Sequence, residues 1–385
     1  MLRPIGSGVS FCLASAPNPN DRNSRDNARV TKDLKDVRAR CERALNLHGI
    51  RPPSAFLDEL ITQEVADFYG EGGAVTTLET EVAGLLGKPA AVFMPSGTMA
   101  QQIALRIHCD RRNLHTFGCH PTSHLQLHED NAHQRLHGLV AVQCGDRTLL
   151  LTMDDLKAVT EPIGAFLFEL PQREIGGQLP EWPDLERQVQ YVRKRGMAVH
   201  LDGARLWECT PYYGRDLKDI AASFDSVYVS FYKGLGGVSG CCLVGEEDVI
   251  AEARVWRHRH GGTLWSLWPL AASALGAMRK RLPLMPRYYE HALAIAASLR
   301  DIPDVEVVPE TPQTPSMHLH MRTTAERFEE AVRAVAEETG VWTWTSSYLA
   351  DTPSIRIAEL AVGDATLEFS PQDVVKIVER FVTPS

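Results

Sequence analysis

The chain has 385 residues, 44% of them hydrophobic and 23% charged, a balance typical of a soluble globular protein with one large or two modest domains. This composition excludes a disordered chain, a coiled coil and a collagen-like repeat. The 40 basic and 49 acidic residues give a net charge of −9 without any dense Lys/Arg run. We therefore expect neither nucleic acid nor an anionic membrane as a partner. No apolar stretch approaches the roughly 20 residues that span a bilayer.

The N-terminal 30 residues are predicted to be disordered, because residues 17–30 are polar and rich in turn formers. Residues 6–16 are mildly apolar and end in Ala14-Ser15-Ala16, which weakly resembles a signal-peptide cleavage site. Only one basic residue, Arg3, precedes this apolar stretch. The eight cysteines contain no CxxC pair, which favours reduced thiols over a disulfide framework. A cytoplasmic location is therefore preferred over secretion.

The spacing of apolar residues predicts two helices near the N-terminus, one from about Thr31 and one from Pro53. From about residue 70 to 260, short apolar runs alternate with amphipathic helices, which favours a mostly parallel sheet covered on both faces. The runs predicted as strands are Ala90–Met94, Leu139–Val142, Ala165–Leu170, Met197–Leu201, Ser226–Phe231 and Cys241–Val244.

A long helix over Leu264–Arg281 is predicted to leave this region, and the remainder mixes helices with strands. The predicted helices are 288–300, 324–339 and 371–382, and the predicted strands are 305–308, 316–321 and 354–358. We therefore expect a large domain over residues 31–270, including the N-terminal helices, and a small α+β domain over residues 271–385.

Three predicted strands end in residues that suit a phosphorylated aldehyde cofactor. Ala90–Met94 runs into Pro95-Ser96-Gly97-Thr98 and a helical pattern, Met197–Leu201 is followed by Asp202, and Ser226–Phe231 by Lys233 and a glycine-rich turn. Each signal alone is weak, since it also fits a helix cap, a turn or a solvated loop. Together they supply a lysine for a Schiff base, a carboxylate for a pyridine nitrogen and amide donors for phosphate, all at strand ends.

A dinucleotide-binding enzyme is the weaker alternative. Gly234-Leu235-Gly236 is not followed by a glycine at the required position, and the sequence contains no GxxxxGK loop.

Three segments, residues 69–105, 200–208 and 224–245, resemble the threonine aldolase and aromatic amino acid β-eliminating lyase family. The resemblance covers about residues 55 to 275, and its most specific parts are DGAR at 202–205 and KGLGG at 233–237. It implies pyridoxal 5′-phosphate as cofactor. It also implies an α/β fold of the aspartate aminotransferase type (fold type I), with a mostly parallel seven-stranded sheet in the large domain and a smaller α+β C-terminal domain.

The resemblance also implies the role of each matching residue. Lys233 would form the Schiff base, Asp202 would pair with the pyridinium nitrogen, and Arg205 would reach the region of the 3′-oxygen. His124 would stack on the cofactor ring and is the candidate base, itself or through a water. The remaining predicted cofactor contacts are Ser96, Gly97, Thr98 and Glu169.

The chain departs from the family at three places. No Arg-Ser-Asp-Thr run occurs before residue 55, and Leu170-Pro171-Gln172-Arg173 stands where the family typically has a second histidine. Trp265 stands where the family has a phosphate-contacting arginine, for which Arg257, Arg259 or His260 are candidate replacements. Trp265 and Arg356 are predicted substrate contacts.

Six of the 14 histidines lie between His115 and His137. If this segment were one helix, Cys119, His120, His124 and His128 could place a metal on its surface. A polar active-site segment is the preferred interpretation, and no metal is predicted.

These observations predict an aldolase that cleaves the Cα–Cβ bond of a β-hydroxy-α-amino acid, such as L-threonine, L-allo-threonine or phenylserine, to glycine and an aldehyde. The alternatives are another reaction with the same cofactor (β-elimination, racemisation or decarboxylation) and a catalytically diverged cofactor-binding homologue. The resemblance implies shared active sites, so a homodimer or homotetramer is expected.

Overall fold

The computed structural model describes residues 32–60, 65–350, 352 and 354–382, so the predicted disordered segment and the apolar stretch 6–16 lie outside the described residues. The strands are β1 (Arg43–Ala44), β2 (Ala90–Met94), β3 (Thr116–Cys119), β4 (Val140–Gln143), β5 (Ala165–Glu169), β6 (Ala198–Gly203), β7 (Ser226–Ser230), β8 (Cys241–Gly245), β9 (Val305–Val308), β10 (Ser316–Arg322), β11 (Val341–Trp342), β12 (Tyr348–Leu349) and β13 (Ile355–Ala361).

The helices are α1 (Lys32–Arg38), α2 (Pro53–Glu59), α3 (Gly73–Leu86), α4 (Gly97–Asp110), α5 (His124–Leu127), α6 (Ala132–His137), α7 (Met153–Ala158), α8 (Trp182–Lys194), α9 (Thr210–Tyr213), α10 (Leu217–Ala221), α11 (Glu247–Arg259), α12 (Trp268–Arg281), α13 (Met285–Leu299), α14 (Ala325–Thr339) and α15 (Pro371–Val382). Short 3-10 turns cover Arg173–Ile175, Leu206–Glu208, Leu282–Leu284 and Thr366–Glu368.

A seven-stranded sheet forms the centre of the large α/β domain, in the order β2-β8-β7-β6-β5-β3-β4. All neighbouring strands are parallel except β8, which runs antiparallel to both β2 and β7. Strands β6, β7 and β8 are buried along their whole length. Such continuous burial requires cover on both faces, which explains why these strands are near-continuous apolar runs. The predicted mostly parallel sheet is confirmed.

The smaller C-terminal domain contains an antiparallel sheet in the order β12-β13-β10-β9. One element near the N-terminus joins this half of the chain, because β1 pairs in parallel with β11. The division into domains at residue 270 stays a prediction, and residues 43–44 pair across it.

The parallel strands place the chemistry-bearing loops at one edge of the large sheet. The carboxyl ends of β2, β3, β5, β6 and β7 all meet there, and ligands of open α/β sheets bind at this edge. The loops that follow these five strands carry most of the residues singled out from the sequence.

The four residues of the alternative metal-binding helix face do not lie on one helix. Cys119 ends β3, His120 lies in the following turn with its Nδ1 2.8 Å from Thr122 Oγ1, and a helix begins only at His124. Among the described residues, no group of three or more metal-ligating side chains converges.

Each of the seven described cysteines is a free thiol. No helix of the described ranges is long and apolar enough to cross a membrane.

Candidate active site

The turn between β2 and α4 forms a cradle of backbone amides. Helix α4 begins at Gly97, and the side chain of the preceding Ser96 makes no capping hydrogen bond to it. The first N–H groups of a helix lack partners within the helix, so they are available to an anion. A β-carbon at position 97 would collide with the hydroxyl of Tyr228, which is buried in β7. The close approach of these two elements therefore requires a glycine at the start of the cradle.

Two carboxylates, one buried and one partly buried, face this edge from neighbouring strands. Glu169 ends β5 and lies in register with Asp202 of β6. Asp202 is 3% exposed, and its Oδ1 accepts a hydrogen bond of 3.0 Å from the backbone N–H of Ala204. Burial raises the pKa of Asp202, while Lys233 and His124 oppose that rise, which places both bases in electrostatic range of the carboxyl.

Lys233 follows β7, the strand next to β6. Burial lowers the pKa of its amine and Arg205 lowers it further, while Asp202 and Glu169 oppose the shift. A lysine with a lowered pKa has a larger unprotonated fraction and is the better nucleophile. A β-carbon on the following Gly234 would collide with the Glu208 carboxylate, so the turn after the lysine requires a glycine.

His124 is the first residue of α5, the short helix that follows β3, and it is held by contacts on two sides. Its Nδ1 is 3.2 Å from Oε1 of Glu129, whose Oε2 accepts a hydrogen bond of 3.2 Å from Gln102. The backbone N–H of His124 donates to Glu169 Oε2 at 3.2 Å. Glu169 Oε1 accepts the backbone N–H of Arg173 at 3.3 Å, so one carboxylate joins the loops after β3 and β5.

Two arginines share one carboxylate from the C-terminal domain. Arg205 donates from Nη2 to Glu359 Oε1 at 3.0 Å, and Arg173 Nη2 lies 2.5 Å from Glu359 Oε2. Burial alone would raise the pKa of Glu359, but the two guanidinium groups lower it to about 2. Sequence reasoning missed Glu359 and assigned no role to Arg173, because the bridge joins positions far apart in the chain.

Two predicted substrate contacts lie apart from this cluster. Arg356 is buried and donates from Nε to Ser347 Oγ and from Nη2 to its carbonyl, both at 2.9 Å. It stands three residues from Glu359 in β13, so the two side chains leave opposite faces of the strand. Trp265 is 65% exposed and packs edge-on against Phe68 and Tyr69, with ring centroids 4.6 and 5.2 Å away.

The structure also places the residues that could replace the family's second histidine and its phosphate-contacting arginine. Gln172, in the segment that stands where the family has a second histidine, is buried and donates to Thr122 Oγ1 at 3.2 Å. Arg257 donates to the carbonyl of Phe93, one residue before the end of β2. Arg259 stacks over Trp256, and His260 stacks on His137. Of the three cationic candidates, Arg257 therefore contacts the strand that leads into the cradle.

The fold is shared with pyridoxal-phosphate enzymes. A serine palmitoyltransferase from S. paucimobilis with bound PLP-myriocin superposes with a TM-score of 0.65 over 88% of this chain and 85% of that chain, at 15% identity. A threonine aldolase from Leishmania major superposes with a TM-score of 0.66 over 86% and 96% of the two chains, at 18% identity. These two likenesses establish the fold alone.

Closer relatives establish the family. The model of the β-eliminating lyase family matches residues 56–325, and the chain belongs to this family. The low-specificity L-threonine aldolase of Escherichia coli is 32% identical over 259 residues, which are 65% of this chain and 77% of that protein. A Listeria monocytogenes protein assigned as an L-allo-threonine aldolase superposes with a TM-score of 0.86 at 38% identity, over 91% of this chain and 99% of that chain.

Proposed function

We propose that this chain is a pyridoxal 5′-phosphate-dependent aldolase that cleaves the Cα–Cβ bond of a β-hydroxy-α-amino acid, giving glycine and an aldehyde. One arrangement carries the proposal: Asp202 lies near the carboxyl end of β6, Lys233 follows the adjacent strand β7, and the helix N-terminus at Gly97 lies at the same sheet edge. The names of the relatives, which describe aldolases acting on threonine or allo-threonine, support the substrate class.

The residues fit the cofactor chemically. Asp202 is a buried carboxylate whose ionised form needs a cationic partner, and a protonated pyridine nitrogen supplies one. Ser96, Gly97 and Thr98 would bind the phosphate through backbone amides and the threonine hydroxyl. Lys233 would hold the aldehyde carbon covalently. When bound, the cofactor withdraws electrons from the α-carbon of an attached amino acid.

The chain's own groups would then divide the remaining work. Asp202 would favour a protonated ring nitrogen, because a carboxylate stabilises a neighbouring cation. Glu129 holds His124 at Nδ1, which leaves Nε2 as the nitrogen that can accept a proton. We propose that His124, itself or through a water, takes the proton of the substrate's β-hydroxyl, and that Arg205 and Glu169 border the cofactor.

A product assay tests the reaction directly. The holoprotein would be incubated with L-threonine, L-allo-threonine and phenylserine, and glycine, aldehyde, ammonia and optical rotation followed in parallel. We expect equimolar glycine and aldehyde from at least one substrate. Ammonia with a keto acid would instead indicate β-elimination, and loss of optical activity without cleavage would indicate racemisation. Either outcome, without glycine formation, would overturn the aldolase proposal.

We also propose that the protein acts as a homo-oligomer. The exposed aromatic cluster of Phe68, Tyr69 and Trp265 supports this, because a contiguous apolar surface is usually covered by another protein surface. The role of Trp265 as a substrate contact stays a prediction, and it requires Trp265 to reach an active site across such an interface.

We propose a cytoplasmic location because the seven described cysteines are free thiols, which are typical of a reducing compartment.

A further inference from the structure

The turn that carries Lys233 is held by side chains from other parts of the chain. We propose that His48 is a positioning residue for Lys233. It contacts the lysine turn (residues 233–237) at Gly234 and ties this turn to Asp364, in the loop after β13. The inference rests on the proposed function, because it assumes that Lys233 attaches the cofactor. The family resemblance assigns His48 no role.

Three successive carbonyl groups of the lysine turn accept hydrogen bonds from distant side chains. The donors and acceptors are His48 Nε2 and Gly234 at 2.9 Å, Arg281 Nη1 and Leu235 at 2.9 Å, and Arg51 Nη1 and Gly236 at 2.6 Å. Backbone carbonyls that leave a sheet need such partners, because an unpaired polar group away from water is unfavourable. The backbone directly after Lys233 is therefore held at three consecutive residues.

The surroundings of His48 fix its tautomer. A carbonyl oxygen can only accept a hydrogen bond, and a backbone N–H can only donate one. Nε2 of His48 therefore carries the hydrogen and donates to Gly234, while Nδ1 accepts the backbone N–H of Asp364 at 3.3 Å. The side chain is 6% exposed, and burial together with the charge of Arg281 lowers the pKa of His48 to about 4. The ring is thus neutral near pH 7, and both of its nitrogens are used.

The lysine turn packs directly against the ring of His48. A β-carbon at Gly236 would lie 2.4 Å from Cδ2 of His48, and Gly236 adopts a φ of +71°, which glycine reaches without strain. Gly234 is packed as tightly, since a β-carbon there would lie 2.2 Å from the Glu208 carboxylate. Neighbouring side chains therefore shape this turn, and His48 is the one that also binds its backbone at Gly234.

The segment that carries His48 is bound to the C-terminal sheet. The backbone N–H of Leu47 donates to the carbonyl of Ala361 at 2.8 Å, and its carbonyl accepts the N–H of Ala365 at 2.9 Å. Leu47 has a φ of +51°, in the left-handed region that residues other than glycine seldom adopt. Such strain persists where surrounding contacts impose it, often at functional positions. His48 is thus presented to the turn in one orientation.

Asp364 joins two of the three side chains that hold the turn. Its backbone N–H binds His48, and its Oδ2 accepts a hydrogen bond of 2.9 Å from Nε of the buried Arg281. The hydroxyl of Tyr288 donates to Oδ1. Although burial alone would raise the pKa of Asp364, Tyr288 and Arg281 hold it below its usual value, so the carboxylate stays charged. The loop after β13 therefore fixes the lysine turn through two contacts.

Two variants of His48 and a matched control test the proposal. His48→Ala removes both contacts of the ring, whereas His48→Gln keeps an amide N–H that can reach the Gly234 carbonyl. His291→Ala is the control, because His291 Nε2 lies 3.0 Å from the carbonyl of Phe369, outside the lysine turn. If His48→Ala does not fold, His48→Asn takes its place, since its shorter amide does not span the distance to Gly234.

Dissociation constants would be measured on cofactor-free protein with pyridoxal 5′-phosphate and with pyridoxamine 5′-phosphate. The second compound carries an amine in place of the aldehyde, so it forms no Schiff base with lysine and reports the other contacts alone. We expect His48→Ala to weaken binding of pyridoxal 5′-phosphate by about 10-fold, since a buried hydrogen bond is lost and its partner is left unpaired. Its affinity for pyridoxamine 5′-phosphate should be unchanged. His48→Gln should restore most of the loss, and His291→Ala should match wild type.

Equal weakening of both compounds in His48→Ala would overturn the inference, because His48 would then support the pocket as a whole. Unchanged affinity for pyridoxal 5′-phosphate would overturn it as well. Failure of the proposed function is distinguishable from both results, because it would appear in wild type as no Schiff-base absorbance band or as no cleavage of any β-hydroxy amino acid. The comparison of the two compounds does not depend on cleavage.

Discussion

Glu169 and Asp202 lie side by side near the ends of two neighbouring parallel strands, Asp202 buried and Glu169 partly buried. Burial raises the pKa of Glu169, and the negative charge of Asp202 raises it further, while two backbone N–H groups partly offset the rise. Two adjacent carboxyls do not both ionise readily, so the pair favours a state with one proton or one bound cation. A protonated ring nitrogen at Asp202 would be such a cation.

Asp202→Asn tests this role. We expect the variant to keep its cofactor but to lose activity by about 10²-fold or more, because a neutral amide no longer favours the protonated ring nitrogen. Steady-state kinetics at saturating cofactor measures the loss, and the visible spectrum reports that the cofactor is still bound. Wild-type turnover in this variant would show that Asp202 only caps the turn after β6.

Gly97→Ala tests the cradle at the start of α4. The added β-carbon would meet the buried Tyr228 hydroxyl, and overpacking of this kind costs about 1–3 kcal/mol. We expect a lower melting temperature and weaker binding of inorganic phosphate and of cofactor, measured by thermal shift and equilibrium dialysis. Combining Gly97→Ala with Tyr228→Phe, which removes the hydroxyl, should restore part of the melting temperature and part of the binding affinity.

Gly84 provides the matched control, because a β-carbon there meets no atom within 4 Å. Gly84→Ala, inside α3, should leave cofactor binding unchanged. Equal effects of the two alanine substitutions on cofactor binding would contradict the proposal that the start of α4 binds the phosphate.

Glu208 predicts a pH dependence of stability. Burial raises its pKa from 4.5 to about 7, so between these values the folded protein holds a proton that the unfolded chain has lost. The free energy of unfolding should therefore fall as pH rises from 4.5 to 7, by up to about 1.4 kcal/mol per pH unit from this group.

The measurement is urea unfolding of cofactor-free protein across this pH range. Glu208→Gln should flatten the profile relative to wild type, while Glu338→Gln, at an exposed ion pair, should not. Parallel pH profiles of unfolding free energy for wild type and Glu208→Gln would contradict a raised pKa at Glu208.

Trp265→Ala tests the exposed aromatic cluster. Burying an aromatic side chain contributes about 1.5–3 kcal/mol, so its loss should weaken self-association. Light scattering at decreasing protein concentration measures the mass, and Leu149→Ala, at another exposed apolar position, is the control. If Trp265 also contacts substrate, the ratio of kcat/KM for phenylserine to that for threonine should fall. An unchanged mass at all concentrations would contradict its place in an interface.

Strands of the large sheet could be predicted because burial on both faces forces near-continuous apolar runs. Ala90–Met94 is bounded as predicted, and the other predicted runs differ from the observed strands by one or two residues at one or both ends. Strand β3 was missed because Thr116–Cys119 contains one large apolar residue, Phe117, and a glycine. Gly118 is required there because a β-carbon would press against the ring of Phe166, a contact between strands that local sequence does not reveal.

Long-range contacts account for the other differences. The helix predicted from Leu264 begins at Trp268, because the Asp67 carboxylate accepts the backbone N–H groups of Leu267 and Trp268 at 2.7 and 2.6 Å. This cap comes from 200 residues earlier in the chain. Lys233 and Asp202 could be found since each lies at or just beyond the end of a recognisable apolar run. Glu359 could not, because its partners Arg173 and Arg205 lie far from it in the sequence.

Covalent attachment of the cofactor at Lys233 is the most direct test of the account. Purified protein would be saturated with pyridoxal 5′-phosphate, reduced with borohydride, digested and analysed by mass spectrometry, with Lys233→Ala treated in parallel. We predict a visible absorbance band that borohydride abolishes in wild type, a pyridoxyl group on the peptide containing Lys233, and neither in the variant. Label on another lysine, or an unchanged band and full activity in Lys233→Ala, would contradict the account.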